Sequence, residues 1–222
     1  MTHFDPAAGY DAPSVRTSDD RLGTVAKAVF DILLAVLLLP ILLPVIAVLY
    51  VLVRLDGGPG FYGHERVCRD ERRFRCWKLR TMVPNSREVL ERHLAENPEA
   101  AAEWARDFKL TDDPRITRVG AFLRRTSLDE LPQLWNVLRG EMSFVGPRPV
   151  TADELPKYQG YEWCYLSVKP GITGIWQVSG RNDVDYETRV RMDVAYRTNR
   201  SFLGDVGIIV RTAGAVINST GR

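Results

Sequence analysis

Residues 32–53 read ILLAVLLLPILLPVIAVLYVLV, twenty-two positions without a charged side chain. As a helix the run would extend about 33 Å, close to the hydrocarbon thickness of a bilayer. A buried core helix is the soluble alternative, but covering so uniform a run needs a larger protein than 222 residues supply. A cleaved signal peptide fits poorly. The run is long and ends in Arg54-Leu55-Asp56 without a small-residue cleavage site. Membrane insertion is therefore the expectation.

Pro40 and Pro44 lie near the middle of the run. Each removes a backbone donor and crowds the preceding turn, so a straight helix is doubtful there. A kinked span would place the first thirty or so residues outside the cell, whereas a re-entrant hairpin would break near Pro40 and return both ends to one face. Spanning helices tolerate prolines. Arg21 and Lys27 precede the run and Arg54 with many further cations follows it, which favours both ends being cytoplasmic.

Outward from this segment, residues 1–20 (MTHFDPAAGYDAPSVRTSDD) are rich in Pro, Ala, Asp and Ser without an apolar period, the signature of a disordered tail. Residues 54–81 hold eight Arg or Lys against four Asp or Glu. They read as a strand pair with Phe61, Val67, Phe74 and Trp77 as its apolar contacts. The charge excess suits anionic headgroups or a diphosphate substrate, against the plainer reading of a solvated surface. Residues 85–108 read as two short helices parted at Asn97-Pro98, with Asn97 capping the second. Their acidic residues, such as Glu91, Glu96 and Glu103, read as a solvated face.

Residues 127–139 (SLDELPQLWNVLR) place Leu128, Leu131, Leu134, Trp135 and Leu138 at helical spacing, with Asp129, Gln133 and Asn136 opposite. Two Gly/Pro-rich stretches, 140–149 (GEMSFVGPRP) and 169–181 (KPGITGIWQVSGR), look too broken for regular structure. Phe202, Val206, Ile209, Ala213 and Val216 regain helical period, either as an interfacial helix or as core packing.

The formal charge of +2 averages over this uneven distribution, and three cysteines (Cys68, Cys76, Cys164) form neither a disulfide framework nor a CxxC zinc site. They read as free thiols in a reducing compartment. His3, His64 and His93 make no H-E-x-x-H set, no Walker P-loop occurs, and no G-x-G-x-x-G marks a dinucleotide fold.

Adjacent carboxylates at Asp129 and Glu130 remain. Ser127-Leu128-Asp129-Glu130 fits a capping box, although Pro132 then falls at the fifth helical position, where a donor is wanted. A cap at Asp129 would instead put Pro132 in the tolerant first turn. Either places both carboxylates at a helix N-terminus, near donors that also favour phosphate. Neighbouring helical side chains diverge by about 100°, so the two should differ in role. One can attack phosphorus or hold a metal while the other orients it. Attack on an anionic diphosphate needs cationic help, from Mg²⁺ and arginines. Arg124 and Arg125 lie one to two turns earlier. Arg148, fixed between Pro147 and Pro149, offers phosphate oxygens a preorganised fork, though a surface-turn arginine is the plainer reading.

These segments, in order, resemble the monotopic phosphoglycosyl transferases, or bacterial sugar transferases. The likeness begins at KAVFDI (27–32) and continues through KLRTM (78–82). It is strongest in RRTSLDELPQLWNVLRGEMSFVGPRP (124–149), then resumes in KPGITGIWQV (169–178), SGRN (179–182), Asp193 and Ser201-Phe202. It implies an Asp-Glu dyad at Asp129 and Glu130 that transfers a sugar phosphate with Mg²⁺ held at those carboxylates. Asp129 would attack the sugar-bearing phosphorus of a UDP-sugar, UMP would leave, and undecaprenyl phosphate would take up the sugar phosphate to begin an exopolysaccharide. The likeness further implies that Arg148 contacts phosphate and Arg124 supports the acidic site. Lys78, Arg80, Gly171, Thr173, Gly174, Gln177 and Arg181 would line the substrate cleft. A Ser-Pro pair often marks the membrane break in this family; here Leu39 precedes Pro40.

The expected fold is α+β and α-rich, with a disordered tail (1–20), a re-entrant helix-break-helix in the membrane (21–55) and a catalytic domain (56–222). The last would hold a small β-hairpin, short helices and interfacial amphipathic helices on the cytoplasmic face of the bacterial inner membrane. A non-catalytic membrane scaffold, or an anionic-lipid or nucleic-acid binding module using 54–81, is the alternative. No nucleic-acid partner is expected, and the transferred sugar and the oligomeric state stay open.

Overall fold

The computed structural model describes residues 19–107, 110–179 and 185–217. The chain is mostly helical. Helix α1 (Asp19–Leu55) is followed by an antiparallel hairpin of β1 (Phe61–Val67) and β2 (Arg73–Leu79). Then come α2 (Ser86–Glu96), α3 (Pro98–Asp107), α4 (Arg118–Thr126) and α5 (Gln133–Leu138). The last part is β3 (Ser143–Val145), α6 (Glu162–Leu166), β4 (Gly171–Thr173), α7 (Ile175–Ser179), α8 (Tyr186–Asn199) and α9 (Phe202–Ile217).

Helix α1 is not free-standing. Asp31, Ala35, Ile46, Leu49 and Val53 are buried, and Leu34, Leu38, Leu39 and Leu42 pack against the central core. Steps of three and four make one stripe along the body from residue 31 to residue 53. The remaining faces expose Val29, Leu33, Val36, Leu37, Ile41, Leu43, Val48 and Val51. Pro40 and Pro44 both point away from the body. Helical structure carries through them as one element where a break was expected. The carbonyls that lose a partner there lie on the outward side, so packing against the body is undisturbed.

Both ends of α1 are tied down. Near its start Lys27 donates to Asp205 of α9 at 2.6 Å, and the Phe30 and Phe202 rings meet edge to face at 5.1 Å. At its end, Gly57 and Gly58 turn the chain at positive φ, and the Arg80 guanidinium donates to the carbonyls of Val53, Gly57, Pro59 and Met82.

The expected hairpin forms with Tyr62 opposite Lys78 and His64 opposite Cys76. Val67 and Phe74 are buried, whereas Phe61 stays exposed. The two helices expected at 85–108 also form, and Asn97 serves both. The Asn97 side chain reaches back to the His93 carbonyl at 3.0 Å and closes α2, while its own carbonyl accepts from the Ala101 amide at 3.0 Å and opens α3. The larger departure lies in the two Gly/Pro-rich stretches, which pair as parallel strands in the register Ser143 with Gly171 and Val145 with Thr173. Glycine permits this. A Cβ on Gly171 would lie 2.1 Å from the Gly146 nitrogen, and one on Gly174 2.4 Å from the Gly146 oxygen. In α9, Ile208 and Ile209 pack against the core, the second of the two roles expected, while Phe202, Leu203 and Val210 face outward.

Candidate active site

The segment 127–139 is two pieces, not one helix. Ser127 ends α4 in a left-handed conformation (φ 57°) and makes no side-chain cap, which rules out the capping box. Leu128–Glu130 then form one 3-10 turn, and Pro132 stands at the N-cap of α5, where its missing donor costs nothing. Asp129 and Glu130 therefore sit in the sharp corner between two helices that fix them from both sides.

At this corner Asp129 is buried, 9% exposed. The Glu130 side chain is 32% exposed and accepts a hydrogen bond from Lys78 Nζ at 2.5 Å. Burial pushes the Asp129 carboxyl up to about 6; Lys78 and Arg124 oppose the shift and the Glu130 charge adds to it. For Glu130, burial is outweighed by Lys78, Arg148 and a hydrogen bond with Gln133, which hold it below the ordinary carboxylate range. The inner carboxylate is thus the more basic and the outer one is neutralised.

Lys78 comes from the end of β2. Arg124, on the last turn of α4, donates to the Thr81 hydroxyl at 2.9 Å. Gly120 of the same helix lies so close to the strand end that a Cβ there would be 2.0 Å from the Thr81 carbonyl oxygen. Arg148 is exposed between buried Pro147 and Pro149, as its flanking prolines suggested. Its guanidinium lies 5.7 Å from the Trp176 ring centroid, and that of Arg189 lies 4.7 Å from the same ring.

The structure gathers Asp129, Glu130, Lys78, Arg124 and Arg148 into one cluster. Arg80 is placed differently: it is buried, with its donors taken by backbone carbonyls at the end of α1. Gly171 and Gly174 press on Gly146 and so set the path of the Gly146-Pro147-Arg148 loop. Thr173 is buried and bonds the Thr212 hydroxyl at 2.7 Å, while Gln177 lies beside Gly174. Arg181 lies outside the described residues.

Sequence reasoning missed the structural task of Asn136. It accepts from the Trp77 amide and donates to the Arg75 carbonyl, which pins β2 to α5. It also missed the Trp176 platform under two arginines, and the Arg66–Glu154 ion pair (2.8 Å) that fastens the hairpin to the loop after Arg148. Thr151-x-x-Glu154 was a visible signal for that loop, since Glu154 accepts from the Thr151 amide at 2.9 Å.

Among the described residues no group of three or more His, Cys, Asp or Glu is placed to hold a metal. Two hard carboxylates nonetheless suit Mg²⁺, which usually takes one or two carboxylates together with substrate phosphates. Asp129 and Glu130 fit that donor set. A pair of carboxylates with Lys78 beside both, Arg124 beside Asp129 and Arg148 beside Glu130 can draw in a phosphate and present an oxygen to it.

The model of the bacterial sugar transferase family matches residues 22–219. The chain is 56% identical over 195 residues to a UDP-galactose-lipid carrier transferase of Erwinia amylovora, covering 88% of this chain and 41% of that protein. It is 53% identical over 201 residues to an undecaprenyl-phosphate galactose phosphotransferase of Salmonella typhimurium, covering 90% and 42%. With the exopolysaccharide production protein ExoY of Sinorhizobium fredii it shares 49% over 201 residues, covering 90% of this chain and 89% of that one. The chain thus spans less than half of the first two relatives and most of the third.

Proposed function

The chain belongs to the bacterial sugar transferase family, and from that premise we propose that it moves a sugar 1-phosphate from a UDP-sugar to undecaprenyl phosphate. The products are UMP and undecaprenyl-diphosphate-sugar, the first lipid-linked unit of an exopolysaccharide. The observation that carries this reading is the buried Asp129 carboxylate, kept ionisable beside Lys78 and Arg124, with Arg148 near its neighbour Glu130.

Asp129 supplies the attacking oxygen. Its bond to the sugar-bearing phosphorus forms as the bond from that phosphorus to the bridging oxygen breaks, and UMP leaves with the electron pair. An oxygen of undecaprenyl phosphate then attacks the same phosphorus and releases the Asp129 carboxylate. Glu130, tied to Lys78, orients the diphosphate, and Arg148 holds its oxygens in a fork stiffened by two prolines. Mg²⁺, held at Asp129 and Glu130, would neutralise diphosphate charge. Stepwise transfer suits a soluble donor and an acceptor confined to the interface, since the two need not be bound together. The names of the Erwinia and Salmonella relatives make UDP-galactose the first donor to test.

α1 is read as a re-entrant anchor in the inner membrane, bent at its prolines, with residues 56–222 as the catalytic domain on the cytoplasmic face. Its stripe on the body from Asp31 to Val53 supports this, because a helix held along that length against the domain's apolar core is not an isolated span.

The deciding experiment incubates purified protein with Mg²⁺ and UDP-galactose without acceptor. Release of less than one UMP per protein, with hexose phosphate on the peptide carrying Asp129, is expected. Transfer requiring donor and acceptor together, with no adduct, would refute the covalent step. Topology can be read with single cysteines at Gly9 and Gly160, because Cys68, Cys76 and Cys164 are buried. Both sites should resist an impermeant reagent outside intact cells; labelling at Gly9 alone would indicate a full span.

A further inference from the structure

Away from the Asp129 cluster, a cavity of about 30 Å³ opens at the root of α1. It shares no residue with the cluster. Four cations line it from four parts of the chain: Lys27 on α1, Arg69 after β1, Lys169 before β4 and Arg200 after α8. Lys27 is already neutralised, by Asp205 at 2.6 Å and Asp31 at 3.9 Å. Arg200 donates to the Thr24 hydroxyl at 3.1 Å, and Arg69 meets only the exposed Asp70, at 3.2 Å. Lys169 makes no ion pair with a described residue, although it is half-buried. Burial, partly offset by Asp31, lowers its ammonium below the ordinary lysine range. A half-buried ammonium whose nearby carboxylate, Asp31, is shared with Lys27 is only partly compensated, and a bound anion would remove the remaining cost.

Place narrows the anion. Thr24, Lys27, Ala28 and Asp31 line the cavity, and the uncharged run of α1 begins at the next residue, Ile32. The cavity therefore lies where α1 enters apolar surroundings, at the depth of lipid headgroups. We propose that this cavity, through Arg69, Lys169 and Arg200, binds the phosphate of an anionic phospholipid headgroup and so fixes the seating of the root of α1. The proposal rests on the membrane reading of α1 and concerns a phosphate distinct from the donor and acceptor of the transfer. Guanidinium and ammonium groups on three separate segments give a phosphodiester several charge-assisted bonds, and polybasic sites near membranes favour anionic lipid.

The test uses the full chain in neutral detergent and follows its thermal midpoint during titration with dioleoyl phosphatidylglycerol, dioleoyl phosphatidylcholine or inorganic phosphate. Phosphatidylglycerol should raise the midpoint by a few degrees and phosphatidylcholine should not. The Arg69→Gln/Lys169→Gln pair should lose most of that rise, with half-saturation about tenfold weaker, while still releasing UMP; Lys169→Arg should keep it. An equal rise in wild type and the double variant would overturn the site. An equally large rise with inorganic phosphate, lost in the double variant, would overturn the lipid assignment and make the site one for soluble phosphate. Failure to bind even neutral vesicles would instead overturn the membrane reading of α1.

Discussion

Asp129 and Asp193 are both buried carboxyls, 9% and 5% exposed, and burial raises both, to about 6 and about 7. Their surroundings differ. Around Asp129 stand Lys78, Arg124 and the second carboxylate Glu130. Asp193, on α8, has the Tyr158 hydroxyl at 2.8 Å as its partner, with Tyr165 and Tyr186 around that ring. Lys78 and Arg124 keep the first carboxyl ionised at neutral pH, as the proposed attack on phosphorus needs. The second, in an aromatic pocket, is near its balance point and serves packing. Burial alone therefore does not mark a reactive carboxylate; the neighbouring charge does.

The largest expected effect that would break this contrast is at Asp129. Asp129→Asn should lower UMP release at least about a thousandfold, since the proposed nucleophile is removed. It should also raise the thermal midpoint at pH 8. A carboxyl whose folded value lies above its unfolded value favours the folded state below about pH 4 and loses that contribution as pH rises through about 6. Removing the charge removes this cost. Activity left intact in Asp129→Asn would erase the difference between the two carboxyls.

Arg148→Ala comes next, with turnover expected to fall about 10–1000-fold while the fold survives, because the side chain is exposed. Arg148→Lys should recover only part of the loss, lacking the fork. Loss of Lys78 sharpens the comparison through pH. In metal-free protein the Asp129 carboxyl should ionise as pH rises through about 6, and Lys78→Met should move that limb upward because Lys78 holds the carboxyl down. An unmoved limb would mean that another group sets the profile. The smallest effect is at Asp193→Asn, where the amide can still accept from Tyr158. Activity should stay within about twofold, and its midpoint advantage over wild type should widen above pH 7, as wild-type Asp193 ionises unfavourably. A large activity loss would give Asp193 a part in the site.

The sequence made some of this plain and hid the rest for identifiable reasons. The long apolar helix, the hairpin and the adjacent acidic pair were legible because hydropathy, alternation and adjacency are local properties. The corner at Ser127–Pro132 was not, because S-x-x-E suits a helix start, whereas Ser127 closes the preceding helix in a left-handed conformation, its amide donating to the Leu123 and Arg124 carbonyls. The β3–β4 pair was hidden because three-residue strands, Ser-Phe-Val and Gly-Ile-Thr inside Gly/Pro-rich stretches, are too short to show a period; they exist through a glycine contact between residues 146 and 171. Arg80 reads like any cation in a basic stretch until its four carbonyl partners, up to twenty-seven residues away, are in place.

Gly120 sets a limit on redesign. The hydrogen it carries faces a carbonyl oxygen at a distance no methyl could share, one turn before the arginine that flanks the acidic corner. Adding a single carbon would lever α4 off its strand and carry Arg124 with it. Attempts to retune the site for another donor have room on the outward side of that helix, at Phe122 or Arg125, and none at position 120.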